Sequence, residues 1–257
     1  MLIQNSVLSI NGLTISSKDK TIVKDVSFEV PRGKIVALAG GSGCGKTTIG
    51  LSVLRLLPYG LHLERGRILF EGQDLWALSP EEIRQIRGKH LSMVFQDALS
   101  AFDPVFTIGS QLNEVLVAHT ELSQKQRREK ILNAFGEVQL PDPERVYRSY
   151  PHQLSGGMRQ RAMIAQASIL NPALLIADEP TSSLDVTLQI KMGELLSCLK
   201  DKGVSILMIA HDWGMIKRLA DFVVVLCQGE VVEQGAVHQV CQNPGHEYTK
   251  ALMEAFQ

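Results

Sequence analysis

What this chain lacks narrows its function first. No apolar run approaches the roughly 18 residues of a membrane-spanning helix. VVVLC at 223–227 and ILMIA at 206–210 are of strand length. The opening MLIQNSVLSINGL has no basic segment leading into a long apolar core, so no signal peptide is expected. The polypeptide is therefore expected not to cross a membrane by itself. Nor is one sign of charge in excess: 26 Lys+Arg face 27 Asp+Glu, a formal net charge of -1. Nucleic acids are bound through clustered basic surfaces, so a nucleic-acid partner is disfavoured, a local basic patch aside. The cysteines are few and far apart. Cys44, Cys198, Cys227 and Cys241 show none of the close C-x-x-C pairing of zinc and redox sites, and a reducing cytosol is the simplest home. What remains is an ordinary globular composition, 257 residues at 45% hydrophobic and 21% charged, with room for one large domain or two small ones.

The apolar pattern alternates between strand and helix periods. Val26, Phe28 and Val30 alternate with Ser27 and Glu29 and end at Pro31-Arg32-Gly33, a half-buried strand and turn in a beginning that looks antiparallel. IVALAG at 35–40 is a continuous apolar run stopping at a glycine cluster. Ile49, Val53, Leu56 and Leu57 follow at helical spacing up to Pro58, which predicts a helix to that point. GRILFEG at 66–72 reads as a strand, and Ser79-Pro80-Glu81-Glu82 as a capped helix start. LSMVF at 91–95 is another strand. Residues 97–153 then lose strand character and carry charged helical stretches such as SQKQRREKILNAFGEV, which reads as a helical insertion. The α/β alternation resumes with ALLIAD at 173–178, a helix over Leu188, Met192, Leu195 and Leu199 with Gly203 as its C-cap, SILMIA at 205–210 and FVVVLC at 222–227. Strands this continuously apolar belong in a parallel sheet covered on both faces.

GGSGCGKT at 40–47 fits G-x-x-x-x-G-K-[ST] between a strand and a helix, the context that the motif requires. With glycine near 7% of residues, a chance match in a chain this long is roughly one in a hundred. Glycines let backbone N–H groups surround phosphates, and a helix N-terminus adds partial positive charge. Lys46 would reach the β- and γ-phosphates, and the Thr47 hydroxyl would ligate Mg²⁺. LLIADEP at 174–180 puts two carboxylates at the carboxyl end of a buried strand, where ligands of open α/β sheets collect. Asp178 would bind Mg²⁺ through water, and Glu179 would orient and polarise the water attacking a γ-phosphate.

LSGGMRQR at 154–161 offers a second anion-binding helix start at Ser155, Gly156 and Gly157, on a helix whose buried face reads Met158, Ala162, Ala165 and Ile169. About twenty residues before the Asp-Glu strand, it resembles the signature of ATP-binding-cassette (ABC) ATPases. The whole chain looks like such a cassette, with motifs from residue 40 to residue 211. The resemblance implies a single P-loop NTPase domain over 1–257. Within it, 1–96 and 154–257 would form a RecA-like, mostly parallel core sheet with an N-terminal antiparallel β-subdomain, and 97–153 a helical subdomain. It implies that Gly40, Gly41, Ser42, Gly43, Cys44, Gly45, Lys46, Thr47 and Thr48 cradle ATP. Gln96 would be the Q-loop glutamine touching Mg²⁺ and the water, Asp185 of SSLD at 182–185 would lie near a dimer seam, and His211 would sense the γ-phosphate. Ser155, Gly156 and Gly157 would face the nucleotide of a second cassette, so one chain would not complete a site.

LSGGMRQRAMIAQA, IADEPTSSLDVTLQ, FQDALSAFDP and NPGHEYTKAL resemble the peptide/nickel importer branch. That branch implies a second, related but distinct ATPase subunit, two transmembrane permease subunits against the helical insertion, an extracytoplasmic binding protein, and a peripheral place on the cytoplasmic face of the inner membrane. Three departures stand out. TISSKDKTIV at 14–23 has no aromatic residue to stack on adenine, which leaves aliphatic contact by Val23 or its neighbours. The branch's H-P-Y is His246-Glu247-Tyr248 here. The chain ends at Gln257 without the cysteine-bearing extension of many peptide-transporting members, which leans the expectation towards nickel or a chelated metal, with dipeptide or oligopeptide import as the alternative. A soluble cassette of translation or DNA repair would call for two cassettes in one chain, a long coiled-coil insertion or a basic face. A P-loop kinase would lack LSGGM and His211 in this arrangement.

Overall fold

The structure is a computed structural model that describes residues 5–98, 100–181 and 186–255. Two sheets stack in it. Strands β1 (Ser6–Ser16), β2 (Thr21–Pro31), β4 (His62–Phe70) and β5 (Gln73–Asp74) form an antiparallel sheet in the order β2-β1-β4-β5. The second sheet comprises β3 (Ile35–Gly40), β6 (Leu91–Val94), β7 (Leu174–Asp178), β8 (Ser205–Ile209), β9 (Phe222–Cys227) and β10 (Glu230–Ala236), in the order β10-β9-β3-β8-β7-β6. Its strands are parallel except for β10, which runs antiparallel to β9 at the edge.

Every residue of β3, β7 and β8 is buried, and side-chain alternation divides them between two cores. Val36, Leu38, Leu174, Ile176, Leu207 and Ile209 face the antiparallel sheet and helix α1 (Lys46–Val53). Ile35, Ala37, Leu175, Ala177, Ile206 and Met208 face the opposite, helical layer. Burial on both faces is why these strands read as continuous apolar runs with no period of two.

A short helix α2 (Pro80–Ile86) begins with the expected reciprocal cap: Glu82 N–H donates to Ser79 Oγ at 3.3 Å, and Ser79 N–H to Glu82 Oε2 at 2.7 Å. The stretch read as helical carries α3 (Ile108–His119), α4 (Gln124–Glu137), α5 (Pro143–Arg148) and a 3-10 turn at Pro151–Gln153. Helix α6 (Gly156–Ser168) follows, and α7 (Val186–Asp201), α8 (Trp213–Leu219), α9 (Val237–Gln242) and α10 (Glu247–Ala255) complete the chain order. Gly203 closes α7 as expected, at φ 92, with its N–H bonded to Lys200 O and that of Val204 to Leu199 O. Among the described residues no helix is long and apolar enough to cross a membrane.

One expectation fails at α1, which stops at Val53 rather than running to Leu57. Arg55 takes the left-handed conformation at φ 52, Leu56 N–H donates to Leu51 O at 2.9 Å, and Arg55 N–H to Ser52 O at 3.0 Å. This is the Schellman ending that glycine usually provides. A side chain in that conformation costs roughly 1–2 kcal/mol. Tertiary contacts offset the cost here. The guanidinium of Arg55 donates to the carbonyls of Leu75 and Leu78 and lies 5.6 Å from the Trp76 ring centre.

Candidate functional site

The strand order places the candidate residues before any side chain is considered. Strands β3, β8, β7 and β6 are neighbours, and their carboxyl ends lead in turn to the 40–48 loop, His211, Asp178-Glu179 and Gln96. Glu179 should therefore lie between His211 and Gln96, and it does. Gln96 Nε2 donates to Glu179 Oε2 at 2.9 Å, and His211 Nδ1 is 3.4 Å from Glu179 Oε1. The backbone of Glu179 is left-handed, at φ 42, and its N–H bonds to Ile209 O at 3.0 Å. This turn lifts the carboxylate out of the strand line towards its two neighbours.

The loop after β3 is shaped by two glycines, one with no room for a side chain and one held by its left-handed backbone with a tight neighbour. A Cβ on Gly40 would lie 2.3 Å from Leu226 O, and one on Gly45, at φ +100, would lie 3.1 Å from Val23 Cγ2. Gly45 precedes α1 and supplies no side-chain cap, so the N–H groups of the first turn of α1 are left for another acceptor. Lys46 is 6% exposed. Its ammonium donates to Gly40 O and Gly41 O, both at 2.8 Å, and to Cys44 Sγ at 3.7 Å. All three donors of the buried charge are thus met by loop atoms. Ser42, Gly43 and Thr47 are exposed, and Thr48 is half-buried.

Thr47 Oγ1 donates to Asp178 Oδ1 at 3.2 Å, which joins the loop to β7. These are two hard oxygen donors side by side, the chemistry that suits Mg²⁺. Asp178 is 2% exposed. Burial pushes its carboxyl above the usual carboxylate range; the Thr47 hydroxyl bond opposes this, the charge of Glu179 adds to it, and Lys46 opposes it. A carboxyl raised on folding binds its proton more tightly in the folded chain, so stability falls as pH rises from its ordinary value through the raised one. Asp178→Asn is accordingly expected to raise the Tm of the full chain at pH 8, with the gain shrinking in acid. Thermal melts without Mg²⁺ or nucleotide check this, and equal Tm values at pH 8 would count against it.

Ser155 caps α6, accepting a bond from Met158 N–H at 3.3 Å. Ser155 and Gly156 are exposed, while Gly157 packs on Leu188. No hydrogen bond among the described residues joins 155–157 to the 40–48 loop. Gln160, buried on the same helix, does reach the site's backbone: its Nε2 donates to Pro180 O at 2.9 Å, next to Glu179. Nothing in LSGGMRQR marks this residue, because a glutamine in a helix carries no signal of its own. Asp185 and the rest of SSLD lie outside the described residues.

Beside the loop is a cavity of about 540 Å³, lined among others by Lys20, Ile22, Lys24, Ser42, Gln228 and Tyr248. Two aliphatic residues of β2, Val23 and Ile22, lie at this edge of the loop. Val23 is fully buried beneath Gly45, and Ile22 faces the cavity. Both side chains approach the loop: a Cβ on Gly45 would lie 3.1 Å from Val23 Cγ2 and 3.8 Å from Ile22 Cγ2.

Residues 23–182 match the family model described as ABC transporter. Dipeptide transport ATP-binding protein DppD of Bacillus subtilis (strain 168) is 43% identical over 253 residues, covering 96% of this chain and 76% of that protein. Oligopeptide transport ATP-binding protein OppD of the same organism is 39% identical, covering 96% of this chain and 71% of that protein. Among solved structures, the fold is similar to the dimeric ATP-binding cassette MJ0796 in a post-hydrolysis state bound to ADP and Pi. The TM-score is 0.80 at 25% identity, over 90% of this chain and 98% of that one. By family, fold and loop chemistry, the chain belongs to the ABC transporters, as an ATP-hydrolysing, ATP-binding subunit.

Proposed function

We propose that the chain energises the import of peptides, dipeptides or oligopeptides, through a membrane complex in which it forms the ATPase with a second cassette. The observation that carries the cargo is the 43% identity, over 96% of the chain, to a protein named for dipeptide transport. The expectation of nickel rested on length alone. Neither relative described above is named for nickel, and the cassette does not touch the cargo, so length has no physical link to it.

In this reading Lys46 exchanges the carbonyls of Gly40 and Gly41 for phosphate oxygens of ATP, and the open N–H groups at the start of α1 receive the same phosphates. Thr47 and Asp178 would hold Mg²⁺, which when bound neutralises charge on the phosphate oxygens. Glu179 Oε1 and Oε2 orient the attacking water and draw on its proton, with Gln96 and His211 fixing the carboxylate. Ser155, Gly156 and Gly157 serve the nucleotide held by the partner cassette, as an exposed helix start outside this chain's own site permits. A switch set by γ-phosphate contacts then drives paired permease subunits, with an extracytoplasmic protein delivering the cargo.

The test is the intact complex in vesicles, with its binding protein and ATP. Dipeptides or oligopeptides are expected to stimulate ATP hydrolysis several-fold, and Ni²⁺ or Ni²⁺ chelates to leave it unchanged. Stimulation by nickel alone would overturn the peptide reading.

A further inference from the structure

Tyr248 lies in the segment NPGHEYTKAL, which carries a branch resemblance and no assigned chemistry. In the fold it reaches back across the chain to the phosphate-binding loop, where Gly41 N–H donates to its Oη at 2.9 Å. The peptide unit that this N–H belongs to also contains the carbonyl of Gly40, and that carbonyl accepts from Lys46 Nζ at 2.8 Å. One peptide plane, between two glycines, is therefore gripped at both ends. Glycine pairs have no Cβ to limit rotation, so this plane depends on its partners more than others in the loop. If Lys46 turns to phosphate, the Tyr248 hydroxyl is the side-chain partner that stays.

We propose that Tyr248 is a positioning residue for nucleotide binding, holding the Gly40–Gly41 peptide in the orientation that the phosphates require. The inference rests on nucleotide binding at the 40–48 loop, as proposed above.

Tyr248 is itself held firmly. Its N–H donates to His246 Nδ1 at 3.1 Å, the side chain just before α10 accepting from the first turn. Gly245 N–H and His246 N–H donate to the two carboxylate oxygens of Glu233 on β10, at 2.7 and 3.2 Å. The departure from H-P-Y falls on Glu247, the first residue of α10. Proline is favoured there for its fixed φ, and glutamate for its charge at a helix start, so both residues leave the tyrosine in the same place. The hydroxyl stays protonated. Burial raises its pKa against the opposing Gly41 N–H bond, the thiols of Cys227 and Cys44 lie beside it, and a bond to Cys227 favours the neutral form.

Tyr248→Phe keeps the ring and removes the acceptor. A lost hydrogen bond of ordinary strength corresponds to about a fivefold change. The full chain is expected to bind a fluorescent ATP analogue about fivefold more weakly. In the transport complex KM for ATP should rise similarly while kcat stays within about twofold. Met253→Ala loosens the same helix from within the core without touching the loop. It is expected to lower Tm and leave ATP affinity at the wild-type value. Unchanged affinity and KM in Tyr248→Phe would overturn the proposal, as would an equal weakening in Met253→Ala, which would make the effect one of helix packing. Lys46→Ala in the same binding assay separates the two readings. Its failure to abolish binding would overturn nucleotide binding at the loop itself. Abolished binding in Lys46→Ala beside wild-type binding in Tyr248→Phe would overturn the Tyr248 proposal alone.

Discussion

Glu179→Gln is expected to lower ATP hydrolysis by about 10²–10⁴-fold, the range for loss of a positioned general base, while ATP affinity stays at the wild-type value. The amide has the carboxylate's shape and fits the same neighbours. Its oxygen can accept from Gln96 Nε2, at the 2.9 Å position that Glu179 Oε2 occupies, and its NH₂ takes the place of Glu179 Oε1 beside His211. The left-handed turn at φ 42 is untouched by a change beyond Cγ. What is lost is an oxygen able to take a proton from water. Lys46, Thr47 and Asp178 keep their contacts, so binding survives while turnover does not. Arrested before hydrolysis, the variant should accumulate a dimer in the presence of ATP. Size-exclusion chromatography with ATP, alongside turnover and ATP-binding measurements, checks all three. Turnover within a few-fold of wild type would remove Glu179 from its role. A loss of turnover matched by an equal loss of affinity would make the residue a binding group instead.

The candidate site is legible in the sequence wherever its residues sit at a strand end. Strands β3 and β9 were read residue for residue, since burial on both faces leaves an uninterrupted apolar run that only a glycine cluster or a polar turn can end. Lys46, Asp178, Glu179, Gln96 and His211 each follow such a run, and the order of the parallel strands then fixes which of them meet. The antiparallel sheet was harder. The pairing of β1 with β2 shifts register between Ile10 and Leu13, again before Ile15 and again after it. Each slip turns side chains to the opposite face, so no single alternation carries along β1 and β2. The end of α1 was hidden differently. Leu56 and Leu57 keep helical spacing, but Arg55 is stabilised in its left-handed conformation by carbonyls at 75 and 78, which no local pattern encodes. Tyr248 shows the same limit at greater distance. Its contact with Gly41 spans 207 residues, and a tyrosine in a polar segment gives no sign of where its hydroxyl will dock.

Ser155→Arg is expected to reduce turnover in the assembled complex by roughly 100-fold, the scale of removing preorganised donors from a charged transition state, while the separate chain binds ATP normally. Ser155 and Gly156 are exposed at the start of a 13-residue helix, and the N–H groups of its first turn are positioned to receive an anion from outside the chain. An arginine there fills that surface with a long side chain. It also places a positive charge at the positive end of the helix, and it removes the oxygen that accepts from Met158 N–H. The last effect alone costs about 1 kcal/mol, and Ser155→Ala isolates it. The alanine variant should lose only a small part of the activity, since it loses the cap without blocking the surface. Because no hydrogen bond among the described residues links 155–157 to the 40–48 loop, ATP affinity of the isolated arginine variant should match wild type. Titration of the isolated chain with a fluorescent ATP analogue, beside turnover of the complex, tests both halves. Weakened binding by the isolated variant would place these residues in the chain's own site. Full turnover in the complex would show that no second nucleotide depends on them.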